Sequence, residues 1–176
     1  MGELLALRWQ DVDLERATLS VRLNVQETTG RYVLAEPKTA YSRRNIALSA
    51  TATAALREHR VRQNQERLQL GPAWDNTVDL LFPNTIGGIM IPHNLAKRSF
   101  KRYLTRAGLP RSIRFHDLRH TAATHLLARG VHPKVVSEML GHADISITLR
   151  VYAHITPHMQ QTAADVMGRI YGIQPA

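Results

Sequence analysis

Between His116 and Tyr171 the chain is punctuated by Gly130, Pro133, Gly141 and Pro157. That spacing leaves room only for short helices. Glycine just past a helix takes a left-handed backbone angle at little cost. Proline tolerates the first helical turn, where its missing N–H loses no bond. The segment therefore divides into predicted helices over 116–129, 133–140, 145–152 and 157–171. A body of short helices buries a core only by packing them against one another, so this segment is predicted to be a run of short helices.

The first half reads differently. Residues 3–9 form a short apolar segment with helical character. Residues 18–23 and 32–35 alternate like strands, and Glu27 to Gly30 between them supplies turn chemistry for a hairpin. Pro37 breaks the second strand, and residues 44–48 suit a third. Ser49 is an N-cap for a long helix through Leu70, ended by Gly71-Pro72. The run "VDLLFPN" precedes a turn. Pro92 or His93 opens another helix over 94–107, closed by Gly108 and Pro110. The fold class is α+β: a mostly helical chain with a small antiparallel three-stranded sheet near the N-terminus.

Charge narrows the function. Lys plus Arg outnumber Asp plus Glu 23 to 14, a formal +9. Such a surface suits a polyanion, and nucleic acid is the commonest. The 94–107 helix carries Lys97, Arg98, Lys101, Arg102 and Arg106 on its outer face. Those five cations form either a solvated face or a DNA-facing one. The chain has no cysteine, which excludes disulfides, thiolate zinc sites and cysteine nucleophiles. Its apolar runs are too short for a membrane span and no signal peptide is visible, so a soluble cytoplasmic protein with no membrane partner is expected.

Stepping about 100° per residue along "HDLRHTAATHLLARG" places Leu118, Ala122, Ala123, Leu126 and Leu127 on one predicted buried face. Arg119 falls in the middle of it and His116 at its edge. An inward guanidinium needs an anion, because an unpaired buried charge is costly. An internal carboxylate or a bound phosphate would each serve. The two histidines four apart resemble a zinc-protease pattern. Asp117 is shorter than the glutamate that pattern requires, and Arg119 between the histidines would repel a dication, so no metal is expected.

Three other residues are ambiguous alone. Lys38, in the turn before the third strand, reads as solvated. His142, following Gly141, reads as a cap or surface residue. Tyr152 shares a stripe with Ile145 and Leu149 and reads as core, although a packed tyrosine can still present its hydroxyl to a wet cleft.

Taken together, "ELLALRWQDVDL", "PKTAYSRRNIAL", "HDLRHTAATHLLARG" and "LGHADISITLRVYAH" resemble, in that order, the tyrosine recombinase or phage integrase family. The H-x-L-R-H-T-x-A-T box is matched without a gap, and so is L-G-H followed by Y-x-H. The resemblance implies site-specific DNA recombination or integration through a 3′-phosphotyrosyl intermediate, with no metal, nucleotide or other cofactor. It implies Tyr152 as nucleophile, Arg119 as clamp on the phosphate oxygens, His116 and His142 as hydrogen-bond and proton partners, and Lys38 as acid for the leaving 5′-oxygen. Double-stranded DNA would be the partner, bound by a homotetramer. The family also carries a second arginine in an R-x-G-E pattern. Gly2-Glu3 match its end, so that arginine would fall before Met1, while Arg8 matches the separate L-R-W arginine. Residues 1–176 are therefore expected to be a catalytic domain lacking both the segment with that arginine and the preceding DNA-clasping domain. Two rivals are an inactive DNA-binding remnant and a helix-turn-helix regulator built on residues 130–152. The regulator's recognition helix would carry Ile145, Ile147, Leu149 and Val151, poor residues for a groove, and would leave His116 and Arg119 without a role.

Overall fold

The computed structural model describes residues 1–37, 42–142, 144–155 and 159–172, with the backbone alone at 152, 154, 155 and 159–163. Two units divide the chain, Met1–Arg119 and His120–Ala176.

The first unit opens with α1 (Gly2–Leu5) and a 3-10 turn at Trp9–Asp11. The predicted helix over 3–9 stops at Leu5 because the chain turns to pair with a distant segment. Arg8 bridges Leu80, and Leu81 donates its N–H to the carbonyl of Leu7 at 2.7 Å. Leu80 and Leu81 of the "VDLLFPN" run are thus buried against the N-terminal segment, with Leu81 fully enclosed.

Among the described residues five strands follow: β1 (Val12–Asp13), β2 (Thr18–Val21), β3 (Asn24–Thr28), β4 (Arg31–Ala35) and β5 (Arg44–Ala47). They form two antiparallel sheets, β1-β2-β5 and β3-β4. The three-stranded sheet exists, with a membership the sequence did not suggest. The run 18–23 does not pair with 32–35. Instead β2 pairs with β5, Val21 opposite Arg44, while the partner of β4 is β3. The turn explains the hairpin. Thr29 and Gly30 both have positive φ, at 48° and 77°, as a two-residue turn matching strand twist requires.

Ser49 caps α2 (Ala50–Leu70) as expected, its hydroxyl accepting from Ala52 N at 3.2 Å, and Gly71 ends the helix at φ 53°. Trp9 donates its ring N–H to Gln63, which in turn donates to Leu80 O at 3.0 Å. That buried pair satisfies both side chains and ties α2 to the N-terminal segment. Leu7, Trp9, Leu19, Val21 and Leu81 form one core cluster; Leu5, Ala6 and Val25 form another.

The second predicted long helix is a run of α3 (Pro92–Asn94), a π-helical turn (Leu95–Ser99) and α4 (Phe100–Arg106). The unit boundary falls within α5 (Asp117–Ala128). The second unit continues with α6 (Pro133–Leu140), α7 (Ser146–Ile155) and α8 (Met159–Tyr171). Its core is Ala123, Leu127 and Val136, with Leu126, Leu140 and Val151 against it. The buried face of α5 is narrower than the periodicity implies: Leu118 and Ala122 are exposed. No helix among the described residues is long and apolar enough to cross a membrane.

Candidate active site

In the first unit, α1 packs on β3. A Cβ at Gly2 would lie 2.9 Å from the carbonyl of Val25 and closer still to the Asn24 amide. Glycine is therefore what permits this approach, and the approach sets the place of Glu3. The Glu3 carboxylate is held by Arg44 at the start of β5, Nη2 to Oε2 at 2.8 Å and Nη1 to Oε1 at 3.2 Å. Both side chains are largely shielded, at 12% and 28% exposure for Arg44 and Glu3.

Glu3 also lines a cleft of about 430 Å³ with Gly2, Leu4, Asn24, His116 and Arg119. The two first-unit residues singled out in the "HDLRH" box thus share one concavity. Arg119 is half-buried and His116 exposed. Burial lowers the Arg119 pKa from the ordinary arginine value; Glu3 pulls it back up and Arg44 pushes it down. The inward guanidinium therefore has an acidic neighbour, and Arg44 shares it.

The start of α5 is fixed by a local clamp. Asp117 accepts from the backbone N of Arg114 at 2.8 Å and from its Nη2 at 2.9 Å. A carboxylate in the first turn satisfies an otherwise orphaned donor and complements the helix dipole. His116 and Arg119 leave the backbone from this clamped turn.

The second unit holds His142. Gly141 ends α6 in the left-handed region at φ 69°, and the N–H of His142 is accepted by Ser137 O at 3.0 Å. Its Nδ1 lies 2.8 Å from Thr148 Oγ1, a side chain with no exposed surface. A ring held at one nitrogen presents the other in a fixed direction. Asp144 opens α7, accepting from Ser146 N at 2.8 Å and from the Ser146 hydroxyl at 2.6 Å.

Tyr152 sits on α7, with its side chain outside the described residues. The two described side chains of the stripe it was expected to share are not core. Ile145 and Leu149 are 40% and 44% exposed, and the inward positions of α7 are Thr148 and Val151. Periodicity found the amphipathic helix but misjudged the buried edge, because a polar residue occupies the fully enclosed position. Lys38 lies outside the described residues.

On the cationic helical run, Lys97, Arg98, Arg102 and Arg106 are exposed. Lys101 differs. Its ammonium donates to the carbonyls of Arg111 and Ile113, tying α4 to the loop before α5. Among the described residues no group of three or more histidines, aspartates or glutamates is placed to hold a metal ion.

Two contacts of interest escaped the sequence reading: the pairing of Glu3 with Arg44 and the bond between Thr148 and His142. Glu3 and Arg44 are 41 positions apart, and no local pattern joins them. Thr148 did leave a signal, as a hydroxyl inside the otherwise apolar run "ISITLRVY".

The profile of the Phage integrase family matches residues 1–159. A tyrosine recombinase XerC-like protein of Caldanaerobacter subterraneus subsp. tengcongensis is 37% identical over 181 residues, covering 97% of this chain and 46% of that protein. The chain thus spans about half the length of that relative. The Tn1549 transposon integrase, solved with circular intermediate DNA, superposes with a TM-score of 0.77 at 24% identity, over 95% of this chain and 55% of that one; this likeness is one of fold. XerH recombinase, solved in a post-cleavage complex with palindromic difH substrate, gives 0.61 at 29% identity, over 93% and 40%.

Proposed function

Because the chain belongs to the phage integrase family, we propose that it is the catalytic part of a site-specific recombinase that breaks and rejoins double-stranded DNA through Tyr152. The observation that carries this reading is the cleft of the first unit, where His116 and Arg119 face one space beside Glu3.

In this reading the Tyr152 hydroxyl attacks a backbone phosphorus. The phosphorus–5′-oxygen bond breaks as the tyrosyl–phosphorus bond forms. The product is a 3′-phosphotyrosyl link and a free 5′-hydroxyl. Attack by the 5′-hydroxyl of another strand reverses the step, so bond energy is kept and no nucleotide is consumed. Negative charge grows on the non-bridging oxygens in the transition state. Fixed donors aimed at that charge supply the largest rate term, and Arg119, His116 and His142 fill that role. A phenol attacks poorly while protonated and an alkoxide leaves poorly until it is. The histidines serve the first need and Lys38 the second. The cations Lys97, Arg98, Arg102 and Arg106 hold the DNA backbone, and the acting form is a tetramer on DNA. A cytoplasmic location follows from that substrate.

The test is a covalent trap. A competent form, extended upstream to carry the R-x-G-E arginine, is incubated with nicked suicide duplexes carrying randomised cores, and SDS-stable adducts are recovered and sequenced. The expected result is a 3′-linked adduct from that form and none from its Tyr152→Phe variant, which removes only the hydroxyl. Duplex binding without an adduct would leave a DNA-binding protein that does not cleave. An undiminished adduct in the phenylalanine variant would place the nucleophile elsewhere.

A further inference from the structure

The ion pair between Arg44 and Glu3 lies beside the cleft that holds Arg119, and the recombinase reading gives it no part. Three side-chain charges meet in the first unit, a carboxylate at Glu3 and guanidinium groups at Arg44 and Arg119, with the Met1 ammonium beside them. Glu3 and Arg119 line the same cleft. Arg44 grips both oxygens of Glu3 from β5, where its backbone is fixed opposite Val21. A further bond from its Nη1 to Ser42 O at 3.0 Å orients the guanidinium.

We propose that Arg44 is a positioning residue: by occupying both oxygens of Glu3 it prevents that carboxylate from neutralising Arg119, and so preserves the cleft's affinity for a phosphate. The inference rests on the reading of Arg119 as a phosphate clamp. With one acid and two bases the side chains of the cluster carry a net charge of +1. Loss of Arg44 would bring that side-chain charge to zero and leave Arg119 as the guanidinium that competes with the Met1 ammonium, which also lines the cleft, for Glu3. A bidentate guanidinium suits the task because its fork matches both carboxylate oxygens at once. The opposing forces on Arg119 fit this picture, since Glu3 and Arg44 pull its pKa in opposite directions.

A purely architectural tie between β5 and α1 would produce the same contacts, so the test must separate charge from scaffold. The 176-residue chain is labelled with ¹⁵N-arginine, and the Nε–Hε resonance of Arg119 is assigned by its loss in Arg119→Lys. Inorganic phosphate is then titrated in. The parent chain should respond. Arg44→Ala should weaken the apparent affinity about tenfold. Arg44→Ala with Glu3→Gln restores the net charge to +1 and should recover most of the loss. Glu3→Gln alone, which removes the competitor and keeps Arg44, should bind phosphate at least as tightly as the parent; it also serves if Arg44→Ala does not fold. An unchanged affinity in Arg44→Ala overturns the proposal. So does failure of the double variant to recover, because Arg44 would then contact the anion or hold the scaffold. Weakened binding in Glu3→Gln alone overturns it too. A parent chain whose Arg119 ignores phosphate removes the clamp reading and this inference together, whereas failure of the variants alone leaves the clamp reading standing.

Discussion

The imidazole Nδ1 of His142 and the hydroxyl of Thr148 lie 2.8 Å apart, and Thr148 is fully enclosed. A loop residue after a helix stop is thereby locked to the interior of the next helix. Thr148→Val removes the hydroxyl and leaves a side chain of similar shape. We expect the domain to stay folded and adduct formation to slow by about ten- to a hundredfold, as small misplacements of a reacting group do. Thr148→Ser keeps the hydroxyl and should retain most of the rate. Equal trapping rates in all three chains would show that His142 needs no orientation from Thr148.

The cationic helix should separate into two behaviours. Arg102 is exposed and Lys101 is committed to two carbonyls. Arg102→Gln should reduce the log–log dependence of DNA affinity on salt by about 0.9, one phosphate's worth, with the melting temperature unchanged. Lys101→Met should lower the melting temperature and leave the salt slope as it was. The reverse pattern, read from binding isotherms at several salt concentrations and thermal melts, would mean that the carbonyl tie is dispensable.

Gly2 should tolerate no side chain. Its Cβ would press on the Val25 carbonyl and the Asn24 amide, and overpacking of this kind costs about 1–3 kcal/mol. Gly2→Ala should lower Tm by at least about 2 °C. It should also weaken phosphate binding in the cleft, because a shifted Glu3 loses its two bonds to Arg44 and becomes available to Arg119. A variant with the parent's melting curve would show that the close approach gives way freely.

Acid should loosen the start of α7. Hydrogen bonds from Ser146, first from its hydroxyl and then from its backbone N–H, hold the Asp144 carboxyl below its ordinary 3.8. A folded-state value below the unfolded one means the contribution is complete above 3.8 and disappears as pH falls through the lower folded value. Protection factors at the Ser146 and Ile147 amides should fall as pH is lowered through that range. Asp144→Asn should give a flat response. Acid-insensitive protection in the parent chain would assign the start of α7 to packing instead.

Much of the secondary structure was decided by residues near one another in the chain. Ser49 reaches a donor three positions on, Gly71 and Gly141 relax the backbone immediately after their helices, and Pro133 begins the next one. Such signals act over a single turn, so the sequence alone places them. The ordered motifs around His116, Arg119, His142 and Tyr152 were legible for the same reason: each is a short contiguous string. Tertiary structure decided what depends on distant partners. Strand β2 found β5 rather than β4 because the turn at Thr29 and Gly30 had already claimed β4 for β3. Helix 3–9 ended at Leu5 because the backbone groups of Leu7 and Arg8 pair with the segment at Leu80 and Leu81. Leu118, Ile145 and Leu149 stand exposed where periodicity would bury them, while Thr148 is enclosed. Periodicity gives a helix its apolar side, but only the neighbours that pack against it determine how much of that side is covered. The pairing of Glu3 with Arg44 belongs to this second class. It exists because α1 packs on β3 and β5 pairs with β2, contacts that no stretch of sequence contains on its own.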